Sequence, residues 1–235
     1  MSAMDPHANA ADSGDEPEHG RLDPADYAPL IDLAMAEDHT GEDLTALALI
    51  SEDAMAVADV IAKQTGVVSG LALVSAVFQR LDPRCEVESE YEDGDRIGAK
   101  SRLLTVRGPA RALLSGERVA LNFLGRLSGI ATLAAEYAEG TMATGTQIHD
   151  TRKTTPGWRN LEKYAVRCGG GHNHRMHLAD AAMIKENHLK AAYGRTGPEA
   201  IAQAVRACKA DSLRASRDQN RATGQPKLHS ATSPV

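Results

Sequence analysis

The order of apolar and polar segments along the 235-residue chain predicts an α/β fold. Residues 23–110 mix helix-like and strand-like patterns, which indicates one domain built from helices and a sheet. Residues 146–210 repeat strand, loop and helix twice, an order typical of a parallel α/β unit in either a barrel or a doubly wound sheet. Apolar residues make up 42% of the chain and charged residues 25%, as in ordinary globular domains.

The first segment, residues 1–22, mixes Pro, Gly, Asp, Glu and Ala without a period, so we expect a disordered acidic leader. A helix begins after Asp23, because an N-cap residue is followed there by a proline and an apolar helical face. Residues 57–62 and 65–70 are predicted strands, since their β-branched residues are bounded by glycine.

Four further elements follow in the same region. Residues 71–81 predict a helix with one apolar face, which ends at Asp82-Pro83. Residues 85–98 alternate and contain an Asp-Gly turn, and residues 101–108 form another strand. Residues 111–139 give the longest helical pattern, in which Gly125 and Gly129 predict either a break or a close packing contact.

The second half starts with a predicted strand at residues 146–150 and a helix at residues 158–168. A polar loop, a strand at residues 181–185 and a helix at residues 197–210 come next. Residues 211–235 are rich in Ser, Thr, Gln and Asn, so we expect an atypical, disordered tail. An α/β barrel or sheet that ends after two strands is incomplete. We therefore assign a leader at 1–22, an N-terminal domain at 23–139, the first part of a second domain at 140–210 and a tail at 211–235.

Charge is divided unevenly between the two halves. Residues 1–100 hold 22 acidic and 6 basic side chains, a balance of −16, whereas residues 101–235 hold 10 acidic and 20 basic ones, a balance of +10. With a net charge of −6 and 3% aromatic residues, the chain is not expected to bind nucleic acid. The basic half could bind small anions if its cations converge.

Compartment and membrane association follow from simpler features. The sequence has no run of eighteen apolar residues and no apolar signal segment, so we expect no membrane span and no secretion. Cys85, Cys168 and Cys208 are odd in number and far apart, which favours free thiols in a reducing cytoplasm.

Three loops each carry a cation at the end of a predicted strand or helix. Residues 150–157, DTRKTTPG, contain Arg152, which can bind a carboxylate through two bonds, and Lys153, a compact charge suited to phosphate. Residues 169–175, GGGHNHR, add His174 and Arg175 after glycines that let the backbone approach a ligand. Lys185 follows the next strand. The convergence of these loops on one rim predicts an anion site.

Two other interpretations remain open at this point. A zinc site could use Cys168, His172, His174 and His177, although ten residues are a cramped source of four ligands. Glu117 and Arg118, in the long helix, are better explained from the sequence alone by an ion pair, either within that helix or at the edge of the core.

The motifs together closely resemble the quinolinate phosphoribosyltransferase family, also called nicotinate-nucleotide pyrophosphorylase (carboxylating). The resemblance runs from about residue 23 to about residue 210, with order and spacing kept, and a looser amino-terminal match lies at residues 37–46, EDHTGEDLTA. Glu186, where an aspartate is common, and His177, where a glycine is common, depart from the family pattern. The segments that carry the resemblance are GERVALNFLGRLSGIAT (116–132), DTRKTTPGWRNLEKYAV (150–166), GGGHNHR (169–175) and MIKENH (183–188).

This resemblance implies a fold and a reaction. The fold is an N-terminal α/β sandwich domain followed by an α/β (TIM-like) barrel. The reaction joins quinolinate to phosphoribosyl pyrophosphate, with Mg²⁺, and gives nicotinate mononucleotide, pyrophosphate and CO₂ on the route to NAD. The resemblance also implies a homodimer whose sites lie between the subunits.

The resemblance also assigns roles to individual residues. Arg152, His174 and Arg175 are implied to hold the two carboxylates of quinolinate. Arg118 is implied to come from the neighbouring subunit, which replaces the ion pair as its interpretation. Lys153 and Lys185, with Thr151 beside them, are implied to contact phosphate and pyrophosphate and to be the catalytic cations. No metal ligand is assigned.

Family motifs that supply a glutamate, an Asp-Asn pair and glycine-rich phosphate loops are not found after residue 210. We therefore expect a truncated chain with an incomplete barrel and an incomplete phosphoribosyl site. The alternatives are a non-catalytic remnant or interaction module that dimerises through the helix around Arg118, and a relative that uses a different aromatic acid.

Overall fold

The computed structural model describes residues 19–223, so most of the predicted leader and residues 224–235 lie outside the described part. The chain divides into two compact units, residues 1–176 and 177–235. No helix within the described part is long and apolar enough to cross a membrane.

The first unit opens with two short helices, each fixed by an aspartate at its N-cap. Helix α1 spans Pro24–Glu37, where the Asp23 carboxylate accepts a hydrogen bond from the Ala25 N–H at 2.9 Å. Helix α2 spans Leu44–Leu49, and Asp43 accepts from two of its first N–H groups. These bonds satisfy donors that a helix start leaves free, and the first helix lies where the sequence predicts it.

The sheet of this unit is antiparallel and lies against the next two helices. Strands β1 (Met55–Ile61), β3 (Glu86–Ser89) and β5 (Arg102–Pro109) form a three-stranded sheet with β5 in the centre. Strands β2 (Gly66–Val67) and β4 (Arg96–Ile97) form a separate two-stranded ribbon. Helix α3 covers Leu71–Leu81, with the predicted bounds.

A single long helix, α4, spans Ala110–Thr141 and forms the other wall of the core. The predicted break at Gly125 or Gly129 is wrong: the helix is continuous through both. A glycine costs about 1 kcal/mol in a helix, which the burial of the opposite face offsets. Neither glycine is in close packing within the chain, because a Cβ atom placed at either one has no neighbour within 4 Å. The buried residues of that opposite face include Val119, Phe123, Leu124, Leu127 and Ala131.

Beyond α4, the structure differs from the predicted strands. Helix α5 covers Arg159–Cys168, as expected, but residues 146–150 form only an isolated parallel bridge between His149 and His172. Residues 181–185 pair with no strand in the described part of the chain. A strand requires backbone partners along its length, and these apolar segments have too few of them here.

The second unit consists of two helices with a small core. Helices α6 (Glu186–Tyr193) and α7 (Pro198–Thr223) bury Leu189, Ala200 and Ala204. Helix α7 continues past the predicted end at residue 210, so residues 211–223 are helical and not disordered as expected. These residues contain Leu, Ala, Arg and Gln, which favour helix, and extending a helix costs less than starting one.

Candidate functional site

The candidate site is built on a backbone bridge that joins two segments, each of which leads into a loop with cations. The Asp150 N–H donates to the His172 carbonyl at 3.0 Å, and the His172 N–H donates to the Ile148 carbonyl at 2.8 Å. The bridge is parallel. Residues 151–153 and 173–175 therefore leave the bridge in the same direction, and the convergence of their cations on one anion site stays a prediction.

Side chains reinforce this bridge around the buried Asp150 carboxylate. Asp150 Oδ1 accepts hydrogen bonds from Lys163 Nζ at 2.5 Å and from the His174 N–H at 2.8 Å. Its Oδ2 accepts from Asn173 Nδ2 at 2.7 Å. The side chains of Lys163 and Asp150 are 1% and 7% exposed, so this ion pair is removed from solvent.

The loop at residues 151–157 is also held from α4 and α5. Arg126 Nη2 donates to Thr155 Oγ1 at 2.6 Å and to Glu162 Oε1 at 2.5 Å, and the Thr155 N–H donates to Glu162 Oε2 at 3.2 Å. Burial raises the pKa of Glu162, but the hydrogen bonds from Arg126 and Thr155 outweigh it, so the pKa lies below its ordinary value. Glu162 is therefore a carboxylate near neutral pH.

A second arginine joins this loop to the end of the other one. Arg159 Nε donates to Thr154 Oγ1 at 3.3 Å, and its Nη1 donates to the Met176 carbonyl at 3.0 Å. Arg126 also lies over the Trp158 ring at 5.5 Å, while Phe123 stacks on that ring at 4.9 Å. The conformation of the loop is thus held by side chains of α4 and α5, and not only by hydrogen bonds within the loop.

The predicted anion-binding residues of this loop face different environments. Thr151 and Lys153 are exposed, and Thr151 Oγ1 accepts a hydrogen bond from the Lys153 N–H at 3.1 Å. Arg152 is partly buried, and its Nε has no hydrogen-bond partner among the described residues. A buried donor without an acceptor is unusual in a folded protein, and a bound carboxylate is the kind of acceptor it lacks.

In the second loop, His174 is exposed and Arg175 is partly buried. His174 Nδ1 accepts a hydrogen bond from the Arg175 N–H at 2.8 Å. In the neutral ring this bond assigns the proton to Nε2. His174 therefore presents a donor, and not an acceptor, to a ligand.

The glycines before this loop serve packing within the chain. A Cβ atom at Gly169 would lie 2.2 Å from the Ala131 carbonyl oxygen of α4, and one at Gly171 would lie 2.7 Å from a Val166 methyl. Gly170 has a positive φ of 78°. At Gly169 and Gly171 the missing side chain thus allows tight contact with α4 and α5, and not the close approach to a ligand that the sequence predicts.

Arg118 is not brought to the two loops by any contact among the described residues. It is exposed on α4, eight residues before Arg126, which is about 12 Å along the helix axis. No ion pair between Glu117 and Arg118 is present in the described part of the chain, so the pairing within the helix is wrong there.

Lys185 lies in the second unit, at the N-cap of α6. Its side chain is exposed, and its N–H donates to His188 Nδ1 at 3.0 Å. The neighbouring Glu186 pairs with Lys190 at 2.6 Å, one turn along the helix.

The zinc interpretation is not supported by the geometry. Cys168 is buried and accepts a hydrogen bond from Ser69 Oγ at 3.4 Å, and burial raises the pKa of its thiol to about 11. A neutral thiol is a poor metal ligand. His174 uses Nδ1 for the Arg175 N–H. Within the described residues, no three His, Cys, Asp or Glu side chains are arranged to hold a metal.

Magnesium prefers oxygen ligands, which near the cationic loops means carboxylates. The two carboxylates beside those loops, Asp150 and Glu162, already accept hydrogen bonds at both oxygens. Since the described residues also contain no group of three His, Cys, Asp or Glu side chains arranged around a metal, these two carboxylates do not form a magnesium site.

Several residues that shape the site escaped the sequence prediction. Asp150 lies in the polar loop at residues 150–157 but is not among the candidate residues, and nothing in the sequence indicates that Lys163 is its buried partner. The apolar residues Leu161, Ala165 and Cys168 mark the inner side of α5. Only the position of Asp150 in space explains a lysine among them.

Both halves of the chain match models of known protein domains. Residues 43–128 match the family model "Quinolinate phosphoribosyl transferase, N-terminal domain", and residues 130–215 match the corresponding C-terminal domain. The predicted domain boundary at residue 139 remains a prediction.

Among similar proteins, the chloroplastic nicotinate-nucleotide pyrophosphorylase [carboxylating] of Arabidopsis thaliana is 45% identical over 171 residues, covering 72% of this chain and 48% of the plant protein. A probable nicotinate-nucleotide pyrophosphorylase [carboxylating] of Bacillus subtilis is 44% identical over 162 residues, covering 69% of this chain and 56% of that protein. The chain thus spans about half the length of these relatives.

A solved structure gives the same result. The crystal structure of NadC from Streptococcus pyogenes superposes with a TM-score of 0.73 at 42% identity, covering 78% of this chain and 65% of that one. The two domain models and the sequence relatives indicate one family, and the structural neighbour shares the fold. The chain belongs to the quinolinate phosphoribosyl transferase family.

Proposed function

We propose that this chain transfers a phosphoribosyl group to quinolinate and releases CO₂, giving nicotinate mononucleotide and pyrophosphate for NAD biosynthesis. The observation that carries the proposal is the parallel bridge between His149 and His172, because both cationic loops leave it in the same direction. Family membership supplies the substrate class. The residues supply the reason why anions bind there.

The charge of the site matches the charge of the substrates. Quinolinate brings two carboxylates, and phosphoribosyl pyrophosphate brings a phosphate and a pyrophosphate. Asp150 and Glu162, the carboxylates next to the loops, are each bonded to a cation. Neither carboxylate is therefore paired with Arg152 or Lys153.

Quinolinate is placed by directional donors. Arg152 and Arg175 can each bind one carboxylate through two parallel bonds. His174 adds the Nε2–H donor that its bond from the Arg175 N–H leaves facing outward. Two carboxylates on neighbouring ring carbons then fix the ring nitrogen in one orientation.

The transfer itself depends on position and electrostatics. Departure of pyrophosphate develops positive charge at the anomeric carbon, which the quinolinate nitrogen attacks to form the new C–N bond. Fixed cations stabilise the departing pyrophosphate. Loss of CO₂ leaves an electron pair on a ring carbon, which the adjacent quaternised nitrogen stabilises until a proton from water forms the new C–H bond. No covalent nucleophile of the protein is required.

Lys153 and Lys185 are proposed to contact phosphate and pyrophosphate oxygens, with Thr151 beside Lys153. Lys153 is exposed and its side chain has no hydrogen bond among the described residues, which leaves its ammonium available to an anion. The Lys185 assignment rests on the resemblance of residues 183–188. Magnesium is proposed to enter as part of the substrate, bound to the pyrophosphate.

We propose further that the protein is a homodimer in which Arg118 reaches the site of the neighbouring subunit. The exposed side of α4 supports this, because it carries Leu114, Leu133 and Tyr137 at 51%, 54% and 60% exposure. Gly125 and Gly129 lie on the exposed side of α4 with open space above them, which lets a second backbone approach.

A cytoplasmic location is part of the same proposal. Cys85 and Cys168 are both buried and form no disulfide. Free buried thiols are typical of proteins kept in a reducing compartment.

The deciding experiment is product formation by the purified 235-residue chain supplied with quinolinate, phosphoribosyl pyrophosphate and Mg²⁺. We expect nicotinate mononucleotide and CO₂ in equal amounts, and loss of both in Arg152→Ala. Glu52→Gln, on an exposed turn, serves as the matched control and should retain activity.

Other outcomes select other functions. A folded sample that binds quinolinate without turnover overturns the enzymatic proposal and favours a non-catalytic interaction module, which family membership by itself does not favour. Turnover of nicotinate without turnover of quinolinate overturns the substrate assignment and favours a different aromatic acid.

A further inference from the structure

A buried lysine stands out in α5. Lys163 is 1% exposed among the buried residues Leu161, Tyr164 and Ala165. Its ammonium pairs with Asp150 at 2.5 Å. Buried ion pairs are weak sources of stability compared with apolar residues of similar volume, because both charges lose their hydration. The pair therefore calls for a role other than stability.

Both members of the pair bind the same residue of the second cationic loop. The His174 N–H donates to Asp150 Oδ1 at 2.8 Å, and the His174 carbonyl accepts from Lys163 Nζ at 2.9 Å. These groups belong to the two successive peptide planes that flank the His174 Cα. The ion pair thus fixes the backbone at the point from which the His174 side chain projects.

Asn173 closes the network on its other side. Its Nδ2 donates to Asp150 Oδ2 at 2.7 Å and to the Lys163 carbonyl at 2.9 Å. Its Oδ1 accepts a hydrogen bond from Arg167. Asp150 is held at both oxygens, so the carboxylate has one orientation.

Because the two arginines lie one or two residues beyond Asp150 and His174, the hydrogen bonds between Asp150, Lys163 and His174 also determine how far apart the arginines are. Asp150 is followed directly by Thr151 and Arg152, and His174 is followed by Arg175. A shift of the His174 backbone relative to Asp150 therefore changes the separation of the two arginines. Binding through two bonds at each arginine tolerates little error, and misplacement of about 1 Å can cost about a hundredfold in rate.

We propose that Lys163 is a positioning residue, which acts through Asp150 and the His174 backbone to set the spacing between Arg152 and Arg175 for a dicarboxylate ligand. The inference rests on the proposed function for the identity of that ligand. It names a residue that touches no substrate and that has no place in the reaction described above.

The test compares three variants of the full chain with the wild type by calorimetric titration of quinolinate. Lys163→Met keeps the length of the side chain but removes the donor to the His174 carbonyl. We expect its quinolinate affinity to fall by about tenfold to a hundredfold. Where turnover is measured, KM for quinolinate should rise while KM for phosphoribosyl pyrophosphate stays near its wild-type value.

Two further variants separate position from stability. Leu161→Ala, on the same helix and also buried, lowers the melting temperature without touching the network, so its affinity at a temperature where it is folded should match the wild type. Asp150→Asn/Lys163→Met removes the unpaired buried charge. It should therefore melt above Lys163→Met and still bind quinolinate weakly, because methionine cannot donate to His174.

Three results would overturn the proposal. The first is wild-type quinolinate affinity in Lys163→Met, and the second is an equal loss of affinity in Leu161→Ala when the two variants have the same melting temperature. The third is that the double variant recovers quinolinate affinity together with its melting temperature. Failure of the catalytic proposal is separable, since a chain that binds quinolinate without turnover still reports the affinities. If the wild type does not bind quinolinate, hydrogen exchange at the His174 amide decides. We expect protection to be lost in Lys163→Met and kept in Leu161→Ala, and unchanged protection in Lys163→Met rejects the positioning role.

Discussion

Individual carboxylates in this protein act as fixed acceptors between segments distant in sequence. Asp93 accepts hydrogen bonds from the Gly70 and Leu71 N–H groups at the start of α3 and from the Tyr164 hydroxyl of α5. Burial and this carboxylate raise the pKa of Tyr164, so the hydroxyl remains a donor. At least one of the many acidic residues in the first half of the chain thus joins helices through hydrogen bonds, in addition to carrying charge.

Glu162 gives a prediction for the pH dependence of stability. Its folded pKa lies below the ordinary value of 4.5, so the unfolded chain binds more protons in that range. Its stabilising contribution is complete above pH 4.5 and is lost as the pH falls through the lowered pKa. Glu162→Gln should reduce the free energy of unfolding by about 1–2 kcal/mol at pH 7, and the difference should shrink below pH 4.5 in urea titrations.

Asp32→Asn is the matched control for Glu162→Gln. Asp32 pairs with Arg80 at 2.6 Å, but both side chains are about half exposed. Solvent screens such a pair, so the variant should change the free energy of unfolding by less than about 1 kcal/mol at any pH. A Glu162→Gln difference that is constant between pH 3 and pH 7 would contradict the assignment of the bond to the ionised carboxylate.

The thiols give a second prediction at this scale. Burial raises the pKa of Cys85 and raises that of Cys168 to about 11. Both are buried, whereas Cys208 is partly exposed. Since the thiolate is the reactive form, a chromogenic disulfide reagent at pH 8 should modify Cys208 rapidly and the other two only after unfolding. Rapid modification that persists in Cys208→Ser would show that one of the buried thiols is accessible.

Among the elements, the sequence predicts the helices better than the strands of the second half. Helix α3 matches because Val74, Val77 and Phe78 lie on one face with a proline beyond its end. The break in α4 is wrong because burial of one face offsets the glycine cost, and no local signal reports that burial. The predicted strands at 146–150 and 181–185 would need to pair with distant segments. A single sequence carries no information on which segments pair.

The candidate site follows the same division. Residues with recognisable local chemistry, such as Arg152 and Arg175, are found from loop composition and from family resemblance. The groups that hold them in place are not, since Lys163 and Arg126 have ordinary helical contexts in the sequence. Their roles arise from the packing of α5 between the loops and α4.

The contact between α5 and α4 can be tested at Gly169. A Cβ atom there would lie 2.2 Å from the Ala131 carbonyl oxygen and 2.8 Å from the Ala134 Cβ. Gly169→Ala must therefore move the end of α5, and we expect a loss of about 1–3 kcal/mol in the free energy of unfolding. Because this end leads directly into residues 170–175, quinolinate affinity should fall as well.

Gly140→Ala provides the control for this substitution. Gly140 is a helical position of α4, and the added methyl group would have no neighbouring atom within 4 Å. The variant should be neutral or more stable by up to about 1 kcal/mol. Equal melting temperatures for Gly169→Ala and the wild type would show that the two helices separate at little cost.

At the scale of the whole molecule, the proposed dimer can be tested on the exposed side of α4. It runs from Leu114 to Tyr137, about 35 Å of helix, and carries Arg118 near its first end. Sedimentation should therefore give a dimer for the wild type. Gly125→Trp fills the open space on this side and should shift the monomer–dimer equilibrium towards monomer. It should lower the free energy of unfolding of the monomer by no more than about 1 kcal/mol.

The proposal that Arg118 reaches the site of the neighbouring subunit can be tested in mixed dimers. Arg118→Ala and Arg152→Ala should each be inactive alone. If each site takes Arg152 from one subunit and Arg118 from the other, a heterodimer of the two variants contains one site with both arginines. Random exchange of equal amounts makes half of the dimers mixed, so about a quarter of the wild-type sites should return in a twofold-symmetric assembly.

Recovery in that mixture is measured as nicotinate mononucleotide formation or, independently of turnover, as the number of quinolinate sites in a titration. Mixing either variant with itself is the control and should restore nothing. If Arg118 acts within its own subunit, both sites of the heterodimer lack one arginine and the mixture stays inactive. Sedimentation of the same mixture separates this result from a failure to dimerise, because it shows whether the subunits have associated while the sites remain defective.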